Sequence, residues 1–245
     1  MKYFIFLITI LFLGMARTAD AQKITILVDN WPPYNFKKDN EIVGINTELI
    51  EAALKRTHIK YKLVMYPFKR AMKTVQKYPN TMLLSVALIP QRKAHYAWIG
   101  PMQARRVYLF KLKERTDIQI KDKQDLKKYR TGVQLGGSIE QFFIANNIHT
   151  DHYSLVSNSE SLLKMLFKKR VDLIPGDPLE TAYQLKNMGH DFSELEAAYL
   201  VSEEGGYYMV ANKDTSASII SSIQESLDEV LASGAKEQLI EKYFK

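Results

Sequence analysis

The chain has 245 residues, no cysteine and a formal net charge of +7. Without cysteine, zinc–thiolate sites, cysteine nucleophiles and a small disulfide-stapled scaffold are excluded. The basic residues are scattered over Lys37-Lys38, Lys111 to Arg115, Lys121 to Arg130 and Lys168 to Arg170. They read as a solvated basic surface, with attraction to an anionic ligand or envelope surface as the weaker alternative.

The first element is a leader. Lys2 gives a positive start, Phe4 to Leu13 is apolar, and Ala19-Asp20-Ala21 is an A-x-A cleavage pattern. This predicts a secretory signal peptide over residues 1–21, with Gln22 as the mature start. The apolar run is short of the roughly 20 residues that span a bilayer, and no later stretch reaches that length. A mature chain of 224 residues and charge +6 follows. It is long enough for one large domain or two small ones. Export argues against nucleic acid as a partner, and the mature protein is expected in solution in the periplasm, as a monomer.

Strand and helix patterns then alternate. Lys23 to Asp29 is β-rich and is followed by the aromatic–proline turn of DNWPPYNF. Thr47 to Arg56 has helical spacing, with Thr47 as the expected N-cap. Lys60 to Val64 reads as a strand, Phe68 to Lys77 as a helix, and Thr81 to Val86 and Val107 to Lys111 as strands. Asp122 is placed to cap a short helix over Lys123 to Lys128. Thr131 to Gln134 is a strand, followed by Gly136-Gly137-Ser138 and a helix through Asn146. Ser157 and Glu160 form a capping-box pattern for a helix through Phe167. A strand over Val171 to Ile174, a helix over Pro178 to Lys186 and a strand over Tyr207 to Ala211 come next. Helices over Ser216 to Leu231 and Lys236 to Tyr243 close the chain. The alternation implies an α/β fold with mostly parallel sheets, whose ligands sit beyond the carboxyl ends of strands. No low-complexity linker marks a domain boundary.

Enzyme signatures are absent: there is no G-x-S-x-G, no H-E-x-x-H and no Walker phosphate loop. His149 and His152 lie in a polar stretch without an acidic cluster, which reads as a surface loop rather than a metal site. Glu203-Glu204 is an adjacent pair whose side chains point to opposite faces of an extended chain.

Four places suit binding instead. In DNWPPYNF, two prolines stiffen the turn, so Trp31 and Tyr34 can stack on a ligand at low entropic cost, and Asp29 can meet a cation; alternatively the rings pack on their own domain. In SVALIPQR, a strand from Ser85 ends before a Pro turn, and Arg92 can fork onto a carboxylate or stand on the surface. In LGGS, Gly137 and Ser138 open a helix start that attracts anions, which is also an ordinary strand-to-helix turn. In RVDLIPGD, Asp177 can pair with an ammonium or cap the helix at Pro178.

In this order, the pieces VDNWPPYNF…EIVGINTELIEAAL, IPQR, LGGSIEQF, KKRVDLIPGD and SLDEVLASGAKEQLIEKYF resemble bacterial extracellular solute-binding proteins of family three. The resemblance covers the whole mature chain. It implies a type II periplasmic binding fold of two α/β lobes, each a mostly parallel sheet flanked by helices, closing on a ligand about a two-crossing hinge. Lobe 1 would be residues 22–104 plus 208–245, and lobe 2 residues 105–207. Carried over, Arg92, Gly137 and Ser138 grip a ligand carboxylate and Asp177 takes the ammonium. Trp31 or Tyr34 packs on the ligand, and Asp29 faces its side chain. Three departures stand out: Ala87 replaces a Ser/Thr, Tyr78-Pro79-Asn80-Thr81 replaces a G-x-x-D turn, and Ile45-Asn46-Thr47 replaces acidic residues. YPFKRA resembles a P-W-x-R-A variant and puts Arg70 at a helix start facing the same cleft. The implied function is capture of a small polar solute, an amino acid or related compound, for an inner-membrane ABC importer or a sensor, with no cofactor. The alternative is an enzyme on the same fold that resembles the cyclohexadienyl dehydratases.

Overall fold

The computed structural model describes residues 23–158 and 160–245. The expected leader lies outside the described residues. In chain order the elements are β1 (Lys23–Val28), β2 (Phe36–Lys38), β3 (Glu41–Val43), α1 (Ile45–Leu54), β4 (Lys60–Met65), α2 (Phe68–Lys77), β5 (Thr81–Ala87), α3 (Pro90–Lys93), β6 (Ala97–Ala104) and β7 (Val107–Leu112). They continue with β8 (Thr131–Gln134), α4 (Ser138–Ala145), β9 (Tyr153–Val156), α5 (Glu160–Phe167), β10 (Ile174–Gly176), α6 (Pro178–Met188), β11 (Leu195–Ser202), β12 (Gly206–Ala211), α7 (Ala217–Ala232) and α8 (Ala235–Phe244).

The first body is a five-stranded sheet in the order β4-β1-β5-β12-β6. Strand alternation sorts its two faces. Ile24, Ile26 and Val28 point into a core shared with Leu49 and Ile50 of α1 and with Ile223 and Leu227 of α7. Leu27 points the other way, against Phe68, Ala71 and Val75 of α2. Helix α2 therefore buries one narrow stripe and leaves its remaining faces to solvent.

The second body holds the antiparallel order β10-β7-β11 and the parallel pair β8-β9, joined by a bridge between Thr131 and Leu173. Along β7, Val107 and Leu109 face a core with Val133 and Phe143, while Phe110 and Leu112 face one with Leu163 and Leu185. The sheets are thus mixed. In the five-stranded sheet only β4, β1 and β5 run side by side in parallel, and β12 is antiparallel to both its neighbours. The cause is the connectivity: the chain leaves the first body through β6 and returns as β12, and these two strands pair head to tail. The two crossings touch, with the Arg105 N–H donating to the Gly205 carbonyl at 3.3 Å.

Several local expectations shift. Helix α1 starts at Ile45, not Thr47, and Gly44 is its N-cap at φ 125°. Its cap comes from the aromatic–proline turn: the Ile45 N–H donates to the Pro33 carbonyl, and those of Asn46 and Thr47 to the Tyr34 carbonyl. Thr47 is left inside the first turn with a buried hydroxyl that has no partner. The Asp122 carboxylate accepts from Gln124 N–H, but the turn that follows is a 3₁₀ helix over Asp125–Lys128. Near α5 the acceptor is Asn158, which takes the Ser161 N–H at 3.1 Å; Glu160 pairs with Lys164 instead of closing a box with Ser157. The strand expected over Val171 to Ile174 starts at Ile174, because the Asp172 and Leu173 N–H groups are drawn to the Arg130 carbonyl.

Candidate functional site: a carboxyl-rich cavity between the two bodies

A cavity of about 90 Å³ lies between the two sheets, a size for one small solute rather than a polymer. From the first body it is lined by Asp29, Trp31, Phe68, Ser85, Ala87, Arg92 and Tyr207. From the second body come Gln134, Gly137, Ser138, Asp177 and Glu180, among others. Seven of the nine residues singled out in the sequence therefore meet at one place. Tyr34 and Arg70 are the exceptions.

The turn after β1 supplies two of the seven. Asp29 is buried, and its carboxylate and carbonyl both accept from Asn35 Nδ2. It thus ties down its own turn and faces the cavity as well. Burial pushes its carboxyl up to about 6, with hydrogen bonds from Gln134 and Asn35 opposing. Trp31 lies in the lining and packs on Tyr34 and Tyr207 with ring centroids 4.5 and 4.7 Å apart. Tyr34 sits beneath Trp31, buried, and reaches across to donate to Asp177 Oδ1 at 2.8 Å.

Arg92 enters from α3, whose start is fixed by Pro90. It is buried, not a surface arginine. Its Nη1 donates to the Ala87 carbonyl at 3.3 Å, and its Nη2 crosses to the Gly136 carbonyl at 2.7 Å. The Phe68 ring backs the guanidinium at 5.3 Å. Burial lowers its pKa to about 10, which leaves it charged at neutral pH. Ser85 lines the cavity with φ 60°, but its hydroxyl is already engaged: it donates to Asn35 Oδ1 and accepts from Asn46 Nδ2.

Arg70 does not face the cavity. It is exposed, with its guanidinium 5.6 Å from the Tyr66 ring centroid. The helix geometry explains this: Phe68, Ala71 and Val75 define the buried stripe of α2, and position 70 falls roughly 200° round from position 68.

On the far side, Gly137 and Ser138 open α4, as its N-cap and first residue. Asp177 serves both readings. Its Oδ1 accepts the Glu180 N–H at 3.0 Å as the cap of α6, and the same atom takes the Tyr34 hydroxyl. Burial raises its pKa.

The sequence reading missed Glu180. It lies in the first turn of α6, buried, beside Asp177 and hydrogen-bonded to Gln184 Nε2 at 3.0 Å. Burial, then the charge of Asp177, pushes its carboxyl up to about 8. Asp29, Asp177 and Glu180 thus line one cavity with Arg92, and none of the three carboxyls has an ion-pair partner among the described residues. An excess of desolvated acid is costly unless a cation or protons neutralise it.

Comparison with known proteins agrees with this architecture. The family described as bacterial extracellular solute-binding proteins, family 3, matches residues 24–245, and the chain belongs to it. A probable histidine-binding protein of Campylobacter jejuni is 27% identical over 218 residues, 87% of this chain and 81% of the relative. An ancestral arginine-binding protein bound to arginine superposes with a TM-score of 0.76 at 20% identity, covering 91% of this chain and 98% of the other. A histidine kinase sensor domain similar to periplasmic binding proteins gives 0.79 at 15% identity, covering 91% and 97%. The chain therefore has the type II periplasmic binding fold and is a solute-binding protein.

Proposed function

We propose that the protein closes its two bodies on one free amino acid with a cationic side chain and presents the loaded form to an inner-membrane ABC importer or a sensor. The observation that carries this reading is the charge of the cavity, three buried carboxyls against one guanidinium. Arg92 and the N–H groups at the start of α4 take the α-carboxylate. Asp177 takes the α-ammonium, and Trp31 packs on the aliphatic part. Asp29 and Glu180 are then left for a second positive group.

The charge count supports the same class. In the empty protein at neutral pH Glu180, raised to about 8, holds its proton. A cationic side chain entering beside it favours the ionised form, so the loaded lining has more acidic groups than the one guanidinium of Arg92 offsets. The arginine in the name of a related protein is a solute of this class, and the histidine in another joins it when its imidazole is protonated. Under this reading the lobe boundaries fall at the two crossings, after Ala104 and near Tyr207, whose strand β12 belongs to the first body, and the mature protein works in the periplasm. Its mechanism is a binding equilibrium with closure and needs no covalent chemistry.

A thermal-shift panel on refolded, ligand-stripped protein tests this. It should hold the basic, neutral and acidic amino acids, dicarboxylates and polyamines. The reading requires a rise of the midpoint with basic amino acids that Arg92→Ala and Asp177→Ala abolish. No rise with any α-amino acid would overturn it.

A further inference from the structure

A second depression lies behind the cavity, at the hinge. It is walled by Ile89 and Pro90 of the first body, by Phe142 of α4 and by Ser202 near the second crossing. Arg105, at the first crossing, also lines it. This arginine is only 5% exposed. Its Nη2 donates to the Ser138 hydroxyl at 3.3 Å, while its Nε–H is buried without any acceptor. No carboxylate pairs with it among the described residues. The neighbouring Arg106 takes Glu203 instead, at 2.8 Å. Arg92 adds to the imbalance: burial is the main cause of its lowered pKa, and the nearby charge of Arg105 lowers it further. Two buried, like-charged groups thus flank the start of α4, and one of them opens onto a groove outside the solute cavity.

We propose that this hinge groove is a second binding site, for a small oxyanion of the phosphate or carboxylate class, held by Arg105 and Ser138. A buried guanidinium with an unused donor is stabilised by such a partner and is costly without one. Glu204 stands on the rim and opposes the anion, so the site selects a small ion that reaches the floor past it. Both bodies and the hinge contribute walls, so the site is complete only when the bodies are closed. An anion bound there therefore favours closure and tightens solute binding, and the solute tightens the anion in return.

The test uses the mature, solute-free chain and inorganic phosphate, at constant ionic strength set with sodium chloride. Thermal unfolding of the wild type should rise by about 3–6 °C as phosphate passes roughly tenfold above its Kd. Arg105→Gln should lose the rise, and Glu204→Gln, an exposed change that leaves the core intact, should reach it at lower phosphate. No rise in either the wild type or Glu204→Gln would overturn the proposal. So would equal rises in wild type and Arg105→Gln, or a rise kept by Arg105→Gln and lost by Arg92→Gln, which would put the ion in the solute cavity. Because no solute is present, the result stands apart from the identity of the solute.

Discussion

The Tyr34 hydroxyl donates to Asp177 Oδ1 at 2.8 Å, joining residues 143 positions apart and on opposite bodies. That oxygen also caps α6 by accepting the Glu180 N–H. One acid therefore stiffens the helix that carries Glu180 and latches the bodies together. Gln184 Nε2 and Arg92 Nη2 make the parallel crossings, to the Pro32 and Gly136 carbonyls.

Tyr34→Phe keeps the ring under Trp31 and deletes the latch. A hydrogen bond to a charged group contributes roughly 1.5–3 kcal/mol, and here that stabilises the closed form. The radius of gyration of the solute-free variant, from small-angle scattering, should exceed that of the wild type, and saturating solute should bring the two together. Identical solute-free values would show that the hydroxyl does not hold the bodies shut.

The two roles of Asp177 can be separated. Asp177→Asn keeps an oxygen for the Glu180 N–H and loses the charge. Asp177→Ala loses both. Denaturant melts should show the alanine variant less stable than the asparagine variant by about 1 kcal/mol, the usual cost of a lost cap. Both should lose solute affinity by more than about thirtyfold, in line with roughly 2–5 kcal/mol for breaking a desolvated charge pair.

Glu180 sets a pH dependence. Its folded carboxyl, raised from 4.5 to about 8, holds a proton more tightly than the unfolded one. Its contribution to the stability of the empty protein is therefore full below pH 4.5 and is lost as pH rises through 8. The melting midpoint of solute-free wild type should fall over that window, and Glu180→Gln should flatten the fall. Binding runs the other way: a cationic side chain favours the ionised carboxyl, so affinity rises with pH and protons are released. Calorimetry in buffers of different ionisation enthalpy reads that release directly.

Gly44 supports the site at one remove. A Cβ there would lie 2.5 Å from the Tyr34 carbonyl oxygen, and φ is 125°. Gly44→Ala should displace the turn that caps α1 and carries Trp31. Both the unfolding midpoint and solute affinity should drop, whereas an alanine at the unobstructed Gly189, φ 76°, should cost stability through backbone strain and spare affinity.

Much of the fold was legible where one local signal dominated. The run TMLLSVA is buried at every position and reads as a central strand from its lack of polarity. Helix α2 matches its expected bounds because Pro67 and Pro79 bracket its pattern. Strand β6 escaped notice because Gly100-Pro101 breaks AWIGPMQA, and β11 because LEAAYLVS mixes polarity without strict alternation. The hairpin of β2 and β3 hid behind Asp39 and Asn40, whose positive φ makes the turn. At the site, Asp29, Arg92 and Asp177 stood at strand ends and turns, where α/β sheets build sites. Glu180 gave no signal, since an acid in a first helical turn ordinarily complements the dipole in water. Its burial comes from tertiary packing beside Asp177, Trp31 and Gln184, which no local pattern encodes.

The central claim is that the cavity's surplus carboxyls recognise a positive side chain. The most direct test titrates ligand-stripped protein with L-arginine and with L-citrulline, its neutral near-isostere, by calorimetry. The account predicts that arginine binds more than about tenfold tighter to the wild type and that Glu180→Gln narrows the gap. Equal affinity for the two, or tighter binding of citrulline, would contradict it.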